Sequence, residues 1–155
     1  MKRVCVVIGL FLLFISSNIF GKGTTGLGIY GNIVTSGNGA FGTGLGLTLK
    51  FGNFPVLGLE WMFGPATHIS VSCDYWVINS HLGGLLDYYL GVGGFVGILA
   101  AGDTSAIDFG ARIPIGLQIW PVNKFEVFAE IAPLVGFLPT LSLGIGIRLG
   151  FRVHF

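Results

Sequence analysis

The last fourteen residues constrain the architecture more tightly than any other part of the chain. Leu143, Ile145, Ile147, Leu149, Phe151, Val153 and Phe155 are apolar, and the intervening Ser142, Gly144, Gly146, Arg148, Gly150, Arg152 and His154 are small, polar or charged. Successive side chains on a strand point to opposite faces, whereas a helix returns to the same face only every three or four residues. Seven consecutive alternations therefore specify a β-strand with one greasy face and one small or charged face.

The same design recurs upstream. Ile107, Phe109, Ala111, Ile113, Ile115, Leu117 and Ile119 alternate with Asp108, Gly110, Arg112, Pro114, Gly116, Gln118 and Trp120, so Ile107 to Trp120 reads as one strand. After Pro121-Val122-Asn123-Lys124, the residues Phe125, Val127, Ala129 and Ile131 alternate with Glu126, Phe128, Glu130 and Ala132. Five further segments keep the phase: Leu27 to Val34, Phe41 to Phe51, Val56 to Phe63, Thr67 to Ile78 and Leu85 to Leu99. The total is eight strands, joined by short connections rich in turn formers. Among these are Gly52-Asn53-Phe54-Pro55, Asn79-Ser80-His81-Leu82-Gly83-Gly84 and Leu138-Pro139-Thr140. Eight strands in such a series predict an antiparallel up-and-down meander, and an even number closes a barrel with both termini at one end.

Composition decides which solvent the greasy face meets. Only 10% of the residues are charged and 52% are hydrophobic, where a water-soluble domain carries about 25% charged residues. The charges that exist are not scattered. Of the seven acidic residues, all but Asp103 (Glu60, Asp74, Asp87, Asp108, Glu126, Glu130) fall on the face that the apolar pattern leaves inward, as do Lys50, Arg112, Arg148 and Arg152. A Lys or Arg facing hydrocarbon at mid-depth costs about 2–4 kcal/mol, so the outer face is expected to meet lipid. Glu60, Asp74, Asp87, Asp108, Arg112, Glu126, Glu130, Arg148 and Arg152 are expected to form an ion-pair network in the lumen. Thirteen inward glycines, from Gly28 to Gly150, make room for these side chains and for Tyr30, Trp76, Tyr89, Phe95 and Phe128. An eight-stranded interior is just wide enough to be filled this way, which predicts a plugged barrel. Tyr88 to Gly102 and Ile131 to Ile147 carry no charge and invite a helical alternative, but the first contains five glycines and the second three glycines and two prolines.

The N-terminus has a different character. Met1-Lys2-Arg3 is a short basic segment, Val4 to Ile15 an apolar core, and Ser16 to Gly21 ends in small residues, which together read as a cleavable signal peptide over 1–21 followed by the barrel over 22–155. The alternative, an N-terminal membrane helix, would need about 20 apolar residues. Cys5 lies too early to carry a lipoprotein's lipid, and Cys73 is then alone, with neither a disulfide partner nor zinc-ligand spacing. Three scattered histidines give no metal constellation, and no cofactor is expected. The Gly-x-Gly repeats precede no helix that could present its N-terminus to a phosphate. A formal net charge of +1 offers no basic surface for nucleic acid.

In these features the chain resembles the small outer-membrane β-barrels of diderm bacteria, the class of the OmpA transmembrane domain, OmpX and OmpW and their short spirochaetal relatives. The resemblance covers the whole mature chain as a pattern. Its most specific element is the end, where Leu149-x-Phe151-x-Val153-x-Phe155 is similar to the C-terminal signal by which such barrels are recognised by the barrel-assembly machinery. It implies export to the periplasm, insertion in the outer membrane among its lipids, and an outer end that an extracellular ligand can reach. The role it implies is non-enzymatic: structural, or a surface-exposed interaction, with a side-chain-filled lumen. Three alternatives stand beside it. A glycine-lined lumen could be a narrow pore for small solutes; surface exposure could serve a host-ligand-binding adhesin, although every candidate loop is short. His68-x-Ser70 with Glu60 and Asp74 on the same face could make a lipid-modifying enzyme, although polar residues at i and i+2 are what any inward strand face presents.

Overall fold

The computed structural model describes residues 25–37, 41–64, 67–102 and 104–155, and the expected signal peptide at 1–21 lies outside them. The described chain is all strand and turn: β1 (Thr25–Ser36), β2 (Phe41–Phe51), β3 (Val56–Phe63), β4 (Thr67–Gly83), β5 (Leu86–Ala101), β6 (Thr104–Arg112), β7 (Ile115–Val122), β8 (Phe125–Leu138) and β9 (Ser142–His154). Each strand pairs antiparallel with its sequence neighbours except β6 and β7, which both pair with β5 and β8, and β1 pairs with β9 from Gly26↔His154 to Ser36↔Gly144. The sheet therefore closes on itself and has no free lateral edge, which is what satisfies the backbone of a sheet in lipid.

Nine strands make a ring of eight because β6 and β7 share one place between β5 and β8. The segment Ile107 to Trp120, read from the sequence as a single strand, is interrupted at Ile113-Pro114. Proline has no amide hydrogen to give the ladder. The pairing bridges the gap all the same: Gly91 N–H donates to the Pro114 carbonyl at 2.8 Å and Ile113 N–H donates to the Pro133 carbonyl at 3.1 Å. Pro114 itself points inward and is buried, so the alternation of faces continues across the break.

The ends of the strands also differ from the sequence reading. Asn79 to Gly84, expected as a loop, continues the β4–β5 hairpin through Asn79↔Tyr89, Ser80↔Tyr88 and His81↔Asp87, with irregularities at Trp76/Ile78 and His81/Gly83. Gly84, at φ +60°, supplies the left-handed conformation that closes it. β8 runs past Ile131 to Leu138, carrying Pro133 opposite Ile145 of β9. Twelve residues in β1, at about 3.3 Å each and tilted by about 40°, span about 30 Å, the thickness of a bilayer's hydrocarbon core.

The faces are inside out relative to a soluble sheet. Leu45 is 65% exposed and Leu143 66%, whereas Glu126 is 0% exposed and Asp74 and Arg152 are each 2% exposed. The first described residue and the C-terminus lie at one end, where Phe155 N–H donates to the Thr25 carbonyl at 3.0 Å. The turns after β2, β4 and β7 share that end; the last residues of β1, β3, β5 and β8 lie at the opposite mouth.

Candidate functional site

The interior is ordered along the barrel axis. Nearest the termini, Glu126 on β8 gathers the donors: Arg152 is directly opposite in register and pairs with Oε1, Gln118 Nε2 donates to the same oxygen at 2.7 Å, His154 Nε2 lies 2.6 Å from Oε2, and Lys50 Nζ lies 3.7 Å from Oε2. Closure of the ring assembles this group, since Lys50 on β2 and His154 on β9 flank Gly26 of β1. Arg152 also reaches across Gly28 to donate its Nε to Thr48 Oγ1 at 3.1 Å. A Cβ at Gly28 would lie 2.8 Å from Arg152 Cγ, so only glycine leaves that crossing open.

Aromatic rings form the next layer. Trp76 stacks on Tyr89 at 3.9 Å between centroids and 12° between planes. The Lys50 ammonium lies 4.3 Å from the Trp76 ring and the Arg152 guanidinium 3.8 Å from the Phe128 ring, in cation–π contact. Trp76 and Tyr89 are 0% exposed and Phe128 is 1% exposed.

A second ionic group sits above the rings. Arg112 pairs with Glu130, lies 3.5 Å from Asp74 and approaches Glu60 at 3.9 Å. Arg148 pairs with Glu60, lies 3.4 Å from Glu130 and 3.9 Å from Asp74. Neutral groups complete the set. Tyr89 Oη donates to Glu130 at 2.7 Å, Asn32 Nδ2 to Glu60 at 2.6 Å, and Arg112 and Arg148 both donate to Ser72 Oγ, at 3.3 and 3.2 Å. Tyr89 reaches Glu130 over Gly116, whose missing side chain gives the phenol its place.

The mouth is not filled. A cavity of about 460 Å³ opens there, with Asn32, Glu60, Arg112 and Arg148 at its floor and Val34, Met62, Phe95, Ala132 and Leu134 on its walls. On one wall His68 Nε2 of β4 faces Asp108 Oδ2 of β6 at 3.2 Å, across Gly97 of β5.

The charged residues assigned to the lumen from the sequence thus divide. Glu60, Asp74, Arg112, Glu130 and Arg148 form one group and Glu126 and Arg152 another. Asp108 is at the mouth. Asp87 stands apart at the terminal end, 2.7 Å from His81 on the exposed hairpin. His68 turns to Asp108, while Glu60 and Asp74 are engaged by the arginines, so the His68–Ser70–carboxylate set is not assembled. Lys50, His154, Asn32, Ser72 and Gln118 were missed as members of the groups. The signal that finds them is lateral register, which places Lys50 and His154 on either side of Gly26 and Asn32 opposite Arg148. The C-terminal residues Leu149, Phe151, Val153 and Phe155 all point outward, Phe155 at 62% exposure. Among the described residues no group of three or more His, Cys, Asp or Glu could hold a metal ion.

No protein-family model and no curated protein matches the sequence. Solved structures do match in fold. Neisserial surface protein A superposes with a TM-score of 0.60 at 13% identity, over 84% of this chain and 96% of that one. The N-terminal β-barrel domain of Pseudomonas aeruginosa OprF gives 0.52 at 17% identity, over 82% and 96%. A structure from the de novo design of transmembrane β-barrels gives 0.50 at 11% identity, over 87% and 98%. The chain has the fold of a small transmembrane β-barrel.

Proposed function

We propose that the chain is an integral outer-membrane protein of a diderm bacterium, exported to the periplasm and surrounded by outer-membrane lipid, with a non-enzymatic structural or surface-interaction role and a lumen that does not conduct. One observation carries the last point. The layer of Trp76, Tyr89 and Phe128 is at most 1% exposed and is bounded on both sides by ion pairs, which supports a lumen filled by side chains at that level. The two NspA and OprF likenesses support the membrane location through the fold they share. In this reading the termini face the periplasm, the mouth faces outward, and Leu149, Phe151, Val153 and Phe155 are read by the barrel-assembly machinery during insertion.

Conductance tests the reading. The refolded protein added to planar bilayers gives no stable current steps across a range of voltages. Reproducible unitary steps from heat-modifiable, folded protein would instead establish a pore.

A further inference from the structure

Elsewhere in the lumen a glycine makes way for a neighbour. A Cβ at Gly46 would overlap Tyr30, one at Gly116 would overlap Tyr89 and one at Gly110 would overlap Phe95, so each missing side chain is matched by a large one that takes its place. Gly146 of β9, opposite Ala132 of β8 and Val34 of β1, departs from this pattern. The atoms nearest to a Cβ there are Leu134 Cδ1 at 3.6 Å, the Ala132 carbonyl oxygen at 3.8 Å and Val34 Cγ2 at 3.9 Å, all at ordinary contact distance. Among the described residues no side chain needs the space that Gly146 leaves, and that space belongs to the cavity of about 460 Å³ at the mouth.

The charges that line this cavity balance. Glu60 and Asp108 stand against Arg112 and Arg148, and each already has a partner: Arg148 pairs with Glu60, Arg112 with Glu130, and His68 lies 3.2 Å from Asp108. An ionic ligand would leave water and meet no free counter-charge, and taking an uncompensated ion out of water is costly. Above this floor the walls of Val34, Met62, Phe95, Ala132 and Leu134 reward the burial of apolar surface. Charge and shape therefore select the same kind of occupant.

We infer that the mouth cavity binds a small uncharged molecule, largely apolar and about the size of a substituted ring. Its body packs over Gly146 against Val34, Met62, Phe95 and Leu134, and a polar group, where it has one, stays at the open rim beside Thr140 and Ser142. A volume of about 460 Å³ falls among those of small-molecule pockets, about 300–1,000 Å³, which are mostly apolar with few polar groups. The inference goes beyond the structural reading and stands whether or not the lumen conducts.

The test uses protein refolded into lipid nanodiscs with its two methionines, Met1 and Met62, carbon-13-labelled at the methyl group, Met62 being on the cavity wall. Phenethyl alcohol, phenethylammonium and phenylpropionate, which share a ring and differ in charge, are titrated in turn. The alcohol shifts the Met62 methyl signal saturably, and both ions bind about ten-fold more weakly or worse. Gly146→Phe fills the cavity from β9 and abolishes the saturable shift, as does Val34→Phe from β1. Gly146→Ala, whose Cβ meets only ordinary contacts, keeps the affinity within about two-fold of the parent. Heat-modifiable gel mobility reports that each variant is folded. Either ion binding as tightly as the alcohol overturns the uncharged assignment. The absence of any saturable Met62 shift, or parent affinity in a folded Phe variant, overturns the site.

Discussion

Glu126 shows how a barrel with a hydrocarbon exterior can carry charge. At 0% exposure an isolated carboxylate would neutralise or unfold the structure, but this one receives Arg152, Lys50, His154 and Gln118 together. Removing it leaves two buried cations without a counter-charge. Glu126→Leu is therefore expected to destabilise by about 3–5 kcal/mol, read as a lower urea midpoint of the refolded protein. Asp87→Asn, which removes the pair with the exposed His81, costs less than about 1 kcal/mol. A similar loss in both variants would show that the buried group is not what holds this end together. The sequence alone places both carboxylates on the inward face, because period two is visible from one strand. It cannot separate them: which side chains meet depends on neighbouring strands, and in the case of Lys50 and His154 on the closure of β1 against β9.

At the scale of the element, the alternation reports faces well and ends poorly. β2 and β3 have the limits read from the sequence, because Gly52-Asn53-Phe54-Pro55 and the glycine at 64 stop them sharply. Asn79 to Gly84 looks like a loop because it is polar and glycine-rich, yet a strand that has left the hydrocarbon has no need of an apolar face, and cross-strand pairing continues to Gly83↔Leu86. The break at Pro114 is equally invisible to an apolar pattern, since a missing amide hydrogen changes the ladder and leaves the faces in phase. β9 carries a prediction of its own. Phe155 lies beyond the strand's last residue, His154, with its ring 62% exposed, so it adds little to the folded barrel, while the proposed assembly signal requires it. Phe155→Ala should refold in detergent with parent yield but give a several-fold smaller heat-modifiable fraction in bacterial membranes. Equal fractions in membranes would remove the assembly role; a loss of yield in detergent would make Phe155 a structural residue.

The whole molecule reverses the usual relation between core and surface. Its apolar area is turned outward and its charge is enclosed, with glycines opposite the large inward side chains so that a ring of eight strands can hold them. The arrangement is coherent only if hydrocarbon covers the outside. The most direct measurement is the set of nuclear Overhauser effects from lipid acyl chains to methyl groups of the refolded, methyl-labelled protein in nanodiscs. The outward methyls of Leu47, Leu59 and Ile147, each about half exposed, should show strong acyl contacts, while those of the inward Val34, Val56 and Leu134 show none. Acyl contacts on the inward set, or spread without regard to strand parity, would contradict the closed inside-out barrel.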